Sequence, residues 1–441
     1  MTRVALLCAP ALLLLSAFAA PIGQPQSLNP PILNSESQYR LHQILRDAHD
    51  EVKKHYFDPK FHGIDWEARF READARVAQA HTMGDGFTIV AALLGELKDS
   101  HTYFTPPERS SRSDLGYRLG LLGDACFVTQ VRPKTDAAEK VHVGDQVVHL
   151  DGYDVNRADL EDVNYFFRLL APPAAVQLDL RSPSGEVRRV VVRAAVQEGK
   201  SRLDLTQGTD INDLIRRDED EDYASRSRMV EIGDAVIWRM SNFDEDYGPI
   251  DRGMNIVRKH KMLILDLRGN PGGSTQTLAW MVGSMFDHDV KIADRVGRNE
   301  KKPMIARRYG STFTGKLIVL IDGGSASAAE LFARTIQIEH RGIVIGDQSA
   351  GAVMEARWYG DSEGADTRIF YGFSVTDADL IMTDGKSLEK TGVTPDELML
   401  PTAEDLAAGR DPVLSRAAAL AGVQLDPVAA GRLFPFEWMQ L

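Results

Sequence analysis

Through the first hundred positions, apolar residues recur three and four apart. Leu41, Ile44, Leu45 and Val52 mark one stripe, Trp66, Phe70, Ala73 and Val77 a second, and Ile89, Leu93, Leu94 and Leu97 a third. This period gathers them on single helix faces and predicts a helical segment from Ser37 to about Leu97. From about Leu115 to Val196 the texture changes to short alternating runs, Cys126-Phe127-Val128, Gln146–Leu150 and Val176–Leu180. Gly144-Asp145, Asp151-Gly152 and Pro183-Ser184-Gly185 lie between them as turns, so the segment reads as a small, strand-rich module. Residues 216–228 are charged and aperiodic, the composition of a solvated linker. After Met229, strand and helix patterns alternate. Lys261–Arg268, Leu317–Asp322 and Ile343–Ile345 read as buried strands, with helices around 276–286 and 327–338. That alternation predicts an α/β domain, and Thr402–Leu441 a mostly helical tail. No internal repeat is visible.

Composition sharpens the picture at a few points. A chain of 441 residues is too long for one ordinary core and predicts two or three domains. The formal charge of −13 excludes a nucleic-acid partner, which wants a basic face. Residues 1–19 read as a signal peptide: Arg3, an apolar run Val4–Leu15 and the small-x-small site Ala17-Phe18-Ala19. The run is short for a stable membrane span. The expected location is therefore exported, periplasmic or extracellular. Four prolines within 20–35 make a flexible lead-in. Cleavage would remove Cys8 and leave Cys126 alone, in a strand-like setting that reads as a core thiol.

Four short stretches could carry chemistry. In Gly323-Gly324-Ser325-Ala326-Ser327-Ala328-Ala329-Glu330 a strand ends, two glycines permit a sharp turn and a helix begins. A serine at that helix start is exposed, and the next N–H can face an oxyanion. A plain helix cap is the competing reading. Asp266-Leu-Arg-Gly-Asn-Pro-Gly-Gly-Ser274 also runs from strand to helix, and Gly272-Gly273 lets backbone approach a substrate oxygen. It lacks the spacing and the lysine of phosphate loops, and an ordinary strand–helix turn competes. Asp99-Ser100-His101-Thr102 offers an imidazole with the intrinsic pKa of a general base, or a surface histidine. Glu389, before Gly392-Val393, could orient a catalytic group or lie in an exposed loop. No His-Glu-x-x-His pair is present, so a zincin is not expected.

Together, in this order, these stretches resemble the C-terminal processing (tail-specific) peptidase and tricorn-core family. His55-Tyr56-Phe57-Asp58-Pro59 and Gly63-Ile64-Asp65-Trp66 resemble its helical N-terminal segment. Val131-Arg132-Pro133, Val143–Val148 and Asp151-Gly152 resemble a PDZ domain. The resemblance covers almost the whole mature chain. It implies an α+β multidomain protein with a signal peptide at 1–19, an N-terminal helical region at 36–110 and a PDZ-like domain at 112–200. A crotonase/ClpP-like α/β catalytic domain at 229–402 and a helical tail at 403–441 complete it. It also implies roles: Ser327 the nucleophile, the N–H groups of Gly272 and Ala328 the oxyanion hole, and Glu330 a supporting acid. Processing peptidases carry a lysine base in a Gly-Glu-Lys-Thr-like segment. Here that segment reads Gly346-Asp347-Gln348-Ser349, and Gln348 cannot be a base. The tricorn branch instead uses a serine–histidine–serine–glutamate tetrad, whose places Ser100, His101, Ser327 and Glu389 fill. The implied protein is a secreted serine endopeptidase without cofactor. Its partner is a polypeptide, taken by its C-terminus at the PDZ-like module, in a loop near Gly116–Gly120; homo-oligomerisation stays open. Two alternatives remain beside it: a catalytically silent PDZ-containing scaffold, and crotonase-like chemistry centred on Glu330.

Overall fold

A computed structural model describes residues 33–107, 111–198, 227–363 and 369–438. The segment read as a signal peptide and most of the charged linker lie outside the described residues. In chain order the helical start is α1 (Ser35–His55), α2 (Trp66–Val77) and α3 (Met83–Gly95). There follow β1 (Tyr103–Thr105), β2 (Ser111–Asp114), β3 (Tyr117–Leu122), β4 (Ala125–Val131), β5 (Gln146–Leu150), β6 (Tyr153–Asp154), α4 (Leu160–Tyr165), β7 (Ala175–Arg181), β8 (Val187–Arg193) and β9 (Ala195–Glu198). Next come β10 (Arg228–Ile232), β11 (Ala235–Arg239), α5 (Tyr247–Val257), β12 (Met262–Asp266), α6 (Thr275–Met285), β13 (Val290–Gly297), β14 (Lys301–Ala306), β15 (Lys316–Ile321), α7 (Ala328–Ile338) and β16 (Ile343–Gly346). The chain then closes with β17 (Met354–Glu363), β18 (Ile369–Met382), β19 (Glu397–Leu398), α8 (Ala403–Ala407), α9 (Pro412–Leu420) and α10 (Pro427–Arg432).

The central sheet has the order β10-β11-β12-β15-β16-β19. Every neighbouring pair in it is parallel except β10–β11. Leu263, Ile264 and Leu265 are fully buried, as expected of a parallel strand covered on both faces. One face lies against α5, α6 and α7, the other against α9 and α10. The helical start is set by local chemistry. Asn34 caps α1 by accepting from the Ser37 N–H at 2.8 Å, and Thr82 and Asp85 form a reciprocal capping box on α3. These helices are not a self-contained unit. Leu41, Leu45 and Leu94 share a core with Phe104 of β1 and Tyr371, Phe373 and Val375 of β18. Arg298 strengthens that junction by donating to the carbonyls of Lys53, Lys54 and Tyr56 at the end of α1.

The strand-rich module is an antiparallel sheet, β3-β4-β5-β7-β8 with β6 beside β5, and β3 is an edge strand. Its core includes Cys126, whose thiol burial pushes up to about 12, consistent with an inert core residue. The stretch Gly116–Gly120, expected as a loop, is mostly β3 itself, because residues 117–122 pair with β4. The module abuts the α/β body through Arg157, which reaches Asp347 at 2.7 Å and the Gln348 carbonyl at 3.0 Å. Among the described residues no helix is long and apolar enough to cross a membrane.

Candidate active site

Three successive turns of the central sheet come together because their strands are parallel neighbours. The chain leaves β12 into 267–274, β15 into 322–327 and β16 into 347–353, all at the carboxyl end of the sheet, where α/β folds place their sites. Hydrogen bonds weld the turns to one another. Ser325 Oγ donates to the Leu267 carbonyl at 2.8 Å, Ala326 N–H to the Asn270 carbonyl at 2.9 Å and Ala350 N–H to the Ser325 carbonyl at 2.9 Å. Buried Ser325 is thus the structural serine of the pair. Arg268 ties the first turn to the tail, bonding Asp266 at 2.8 Å and the α9 cap Asp411 at 2.7 Å.

Ser327 stands at the start of α7 with φ 53 and ψ −116. That is outside the extended conformation of ordinary helix caps and costly for a residue with a Cβ. Such strain persists only where the surroundings over-determine it, and it marks nucleophile turns between strand and helix. Here the Ser327 N–H is held by the Ala352 carbonyl at 2.9 Å and by Glu330 Oε2 at 3.0 Å. Gly272, at φ +99, lies directly against this turn: a Cβ there would fall 2.6 Å from Ser327 Cβ and 2.9 Å from the Ala328 nitrogen. No side chain fits that gap. The Gly272 N–H, expected as an oxyanion donor, instead donates to Asn270 Oδ1 at 2.8 Å. Among the described residues the N–H groups of Ala328 and Gly273 carry no hydrogen bond.

Glu330 is fully buried and accepts four hydrogen bonds. Ser349 Oγ donates at 2.5 Å, Gly351 N–H at 2.8 Å, and the N–H groups of Ala352 and Ser327 at 3.0 Å. Burial pushes its carboxyl up to about 7 against the pull of these donors. The side chain therefore clamps the turn after β16 onto the serine turn. Glu330→Gln would set an amide donor against N–H donors. Leaving a buried donor unmet costs about 1–3 kcal/mol, so thermal unfolding of the Gln variant is expected about 5–10 °C lower. An unchanged melting curve would remove the clamp.

His101 comes from the loop between α3 and β1. Its loop is pinned by Asp99 Oδ1, which accepts from the His101 N–H at 2.9 Å, the Thr102 N–H at 2.7 Å and Thr376 Oγ1 of β18 at 2.6 Å. Ser100 Oγ lies 2.7 Å from His101 Nδ1 and donates to Glu389 Oε2 at 2.8 Å. Glu389 also accepts from the Ser100 N–H at 2.9 Å and the Val353 N–H at 2.9 Å. A hydroxyl has one proton. If it goes to the carboxylate, Nδ1 must be the donor to Ser100, and Nε2 carries the free lone pair. Burial lowers the His101 pKa more than Glu389 and Asp99 raise it, so the ring is held neutral.

Ser100, His101 and Glu389 are thus in contact with one another. Ser327, Ala328, Gly272 and Glu330 form a second group in contact. The two groups meet at the 352–353 peptide: Ala352 holds the serine N–H and Val353 holds the glutamate. No hydrogen bond joins Ser327 Oγ to His101 among the described residues. Gln348 is exposed, and its amide donates to the Thr391 carbonyl at 2.7 Å. Sequence reasoning missed Asn270, Asp99 and Val353. Asn270 and Asp99 were visible inside quoted motifs, whereas Val353 acts through backbone alone and leaves no residue-type signal.

A strained serine at a strand–helix turn, with an imidazole and a carboxylate held on loops joined to it through the 352–353 peptide, offers the residue types that nucleophilic catalysis needs. Residues 236–399, a span within the α/β body, match the model of Peptidase family S41. The chain is 21% identical over 338 residues to the chloroplastic carboxyl-terminal-processing peptidase 3 of Arabidopsis thaliana, covering 73% of this chain and 63% of that protein. It is 24% identical over 415 residues to a putative tricorn protease homolog 2 of Streptomyces coelicolor, covering 85% of this chain but 32% of that protein. The chain thus spans less than two thirds of either relative. Its fold is similar to that of mature CPAF, with a TM-score of 0.64 at 15% identity over 84% of this chain and 94% of the other.

Proposed function

We propose that the chain is a serine endopeptidase that cleaves polypeptides through an acyl-enzyme on Ser327, with His101, Ser100 and Glu389 completing a tricorn-like tetrad. His101 Nε2 takes the Ser327 Oγ proton as Oγ bonds to the scissile carbonyl carbon. The resulting oxyanion is met by the Ala328 N–H and a second donor from the Gly272–Gly273 pair. As the C–N bond breaks, His101 returns the proton to the leaving amine, and water later hydrolyses the ester by the same route. The observation that carries this reading is the chain Glu389–Ser100–His101, which leaves Nε2 as a base. The open Ser327–His101 contact fits a resting site that tightens on substrate. The antiparallel module, read as PDZ-like, would receive the substrate's C-terminal stretch along the edge of β3. The leader at 1–19 supports export.

A fluorophosphonate probe tests the site directly. Expected is a stoichiometric adduct on Ser327 in the native chain, at least about 100-fold slower in His101→Ala. The open Ser327–His101 contact also favours a second reading, a silent binding protein. That reading gains if the probe leaves Ser327 unmodified while peptides still bind.

A further inference from the structure

The tail beyond α10 leaves the α/β body at a defined point. Phe434 is buried in the core beneath α9 and α10, Arg228 of β10 lies 5.7 Å from its ring, and the Arg228 guanidinium donates to the Pro435 carbonyl at 2.8 Å. From there the chain crosses to the strand-rich module. Arg118 of β3 stands 5.0 Å from the Phe436 ring and 5.9 Å from the Trp438 ring. Arg132, just past β4, stands 4.4 Å from Trp438. The two rings meet edge to face at 5.1 Å. Residues 434, 436 and 438 thus each set an aromatic ring on an arginine, at the spacing of an extended segment. Among the described residues the segment forms no strand pairing with β3.

Arg118 and Arg132 are neighbours at one end of the module's edge strand, where the Arg132 N–H donates to the Gly116 carbonyl at 2.8 Å. Asp114 pairs with Arg132 at 2.8 Å. Burial, with the nearby Arg168, disfavours the charged form of Arg118, so a ring face over this guanidinium meets an under-compensated cation. Arg118 belongs to the edge strand itself, so a peptide laid along β3 runs beside it.

We propose that Arg118 and Arg132 form a subsite for peptides of the aromatic-x-aromatic class, and that residues 434–438 of the chain itself are its resident ligand, to be displaced when a polypeptide enters the module. The proposal rests on the reading of the module as peptide-binding. Its prediction is quantitative, because a short tether holds the tail at an effective concentration of about a millimolar. A tail whose own affinity is about 10–100 μM then costs any competitor about 10–100-fold, whatever the competitor's affinity.

The test uses the full chain carrying Ser327→Ala, so that no probe is cut, and a fluorescein-labelled peptide Phe-Pro-Phe-Glu-Trp read by anisotropy. Phe436→Ala with Trp438→Ala is expected to tighten probe binding at least tenfold, and Arg118→Ala added to that variant to abolish it. Both tail positions reach solvent, Phe436 with 39% of its surface, so the double variant should fold. Equal binding with and without the tail rings, or binding indifferent to Arg118, overturns the proposal. A control peptide with an aliphatic end separates the two layers. If it binds both chains while the aromatic probe binds neither, only the aromatic subsite is lost; if neither peptide binds either chain, the peptide-binding reading falls with it. The serine assignment stands apart, because it is read by covalent labelling.

Discussion

Replacing Ser327 by alanine is expected to lower kcat for an unfolded polypeptide by about 10⁵-fold or more, the scale on which a serine nucleophile fails. The change should leave the fold intact. Alanine carries the same Cβ at the same φ, and the N–H bonds to Ala352 and Glu330 belong to backbone. Ser325→Ala supplies the contrast. It removes the hydroxyl bonded to the Leu267 carbonyl, so stability falls by about 1–3 kcal/mol while the nucleophile remains. Cleavage by Ser327→Ala within tenfold of the native rate would refute the nucleophile.

His101→Ala is expected to cost about as much, 10⁴- to 10⁶-fold, and to add little to Ser327→Ala, since nucleophile and base act as one unit. The pH profile is the sharper measurement. A base works deprotonated, so kcat/KM rises with pH through the base's pKa and then levels. Burial holds the His101 pKa below the ordinary histidine value, so the acid limb should be centred below about pH 6.5. A limb centred near 7 would report Glu330 instead, whose carboxyl sits at about 7. A rise only above about pH 9 would mark an amine base and sink the histidine.

The strongly patterned elements were legible in the chain. Leu263, Ile264 and Leu265 read as a buried strand and lie in β12; Leu317–Ile321 and Ile343–Ile345 became β15 and β16. The long β17–β18 hairpin was not read. Its apolar alternation is interrupted by Asp377 and Asp379, which bind Arg295 and Ser387. The N-terminal stripes were read as helices, yet nothing in their period reveals that their partner is Phe373, nearly three hundred positions on. The site divides in the same way. Residue types pointed to Ser327, His101 and Glu389, because chemistry demands those side chains. Backbone conformation and backbone donors were invisible: the positive φ at Ser327, the Val353 N–H on Glu389, and the engagement of Gly272 by Asn270.

The Gln348 amide has a consequence for how this site could change. It donates to the carbonyl of Thr391, two residues past Glu389, and so steadies the turn that presents the carboxylate. Gln348→Ala would remove that donor and hand the exposed Thr391 carbonyl to solvent, so the 387–392 turn, and Glu389 with it, would be held less firmly.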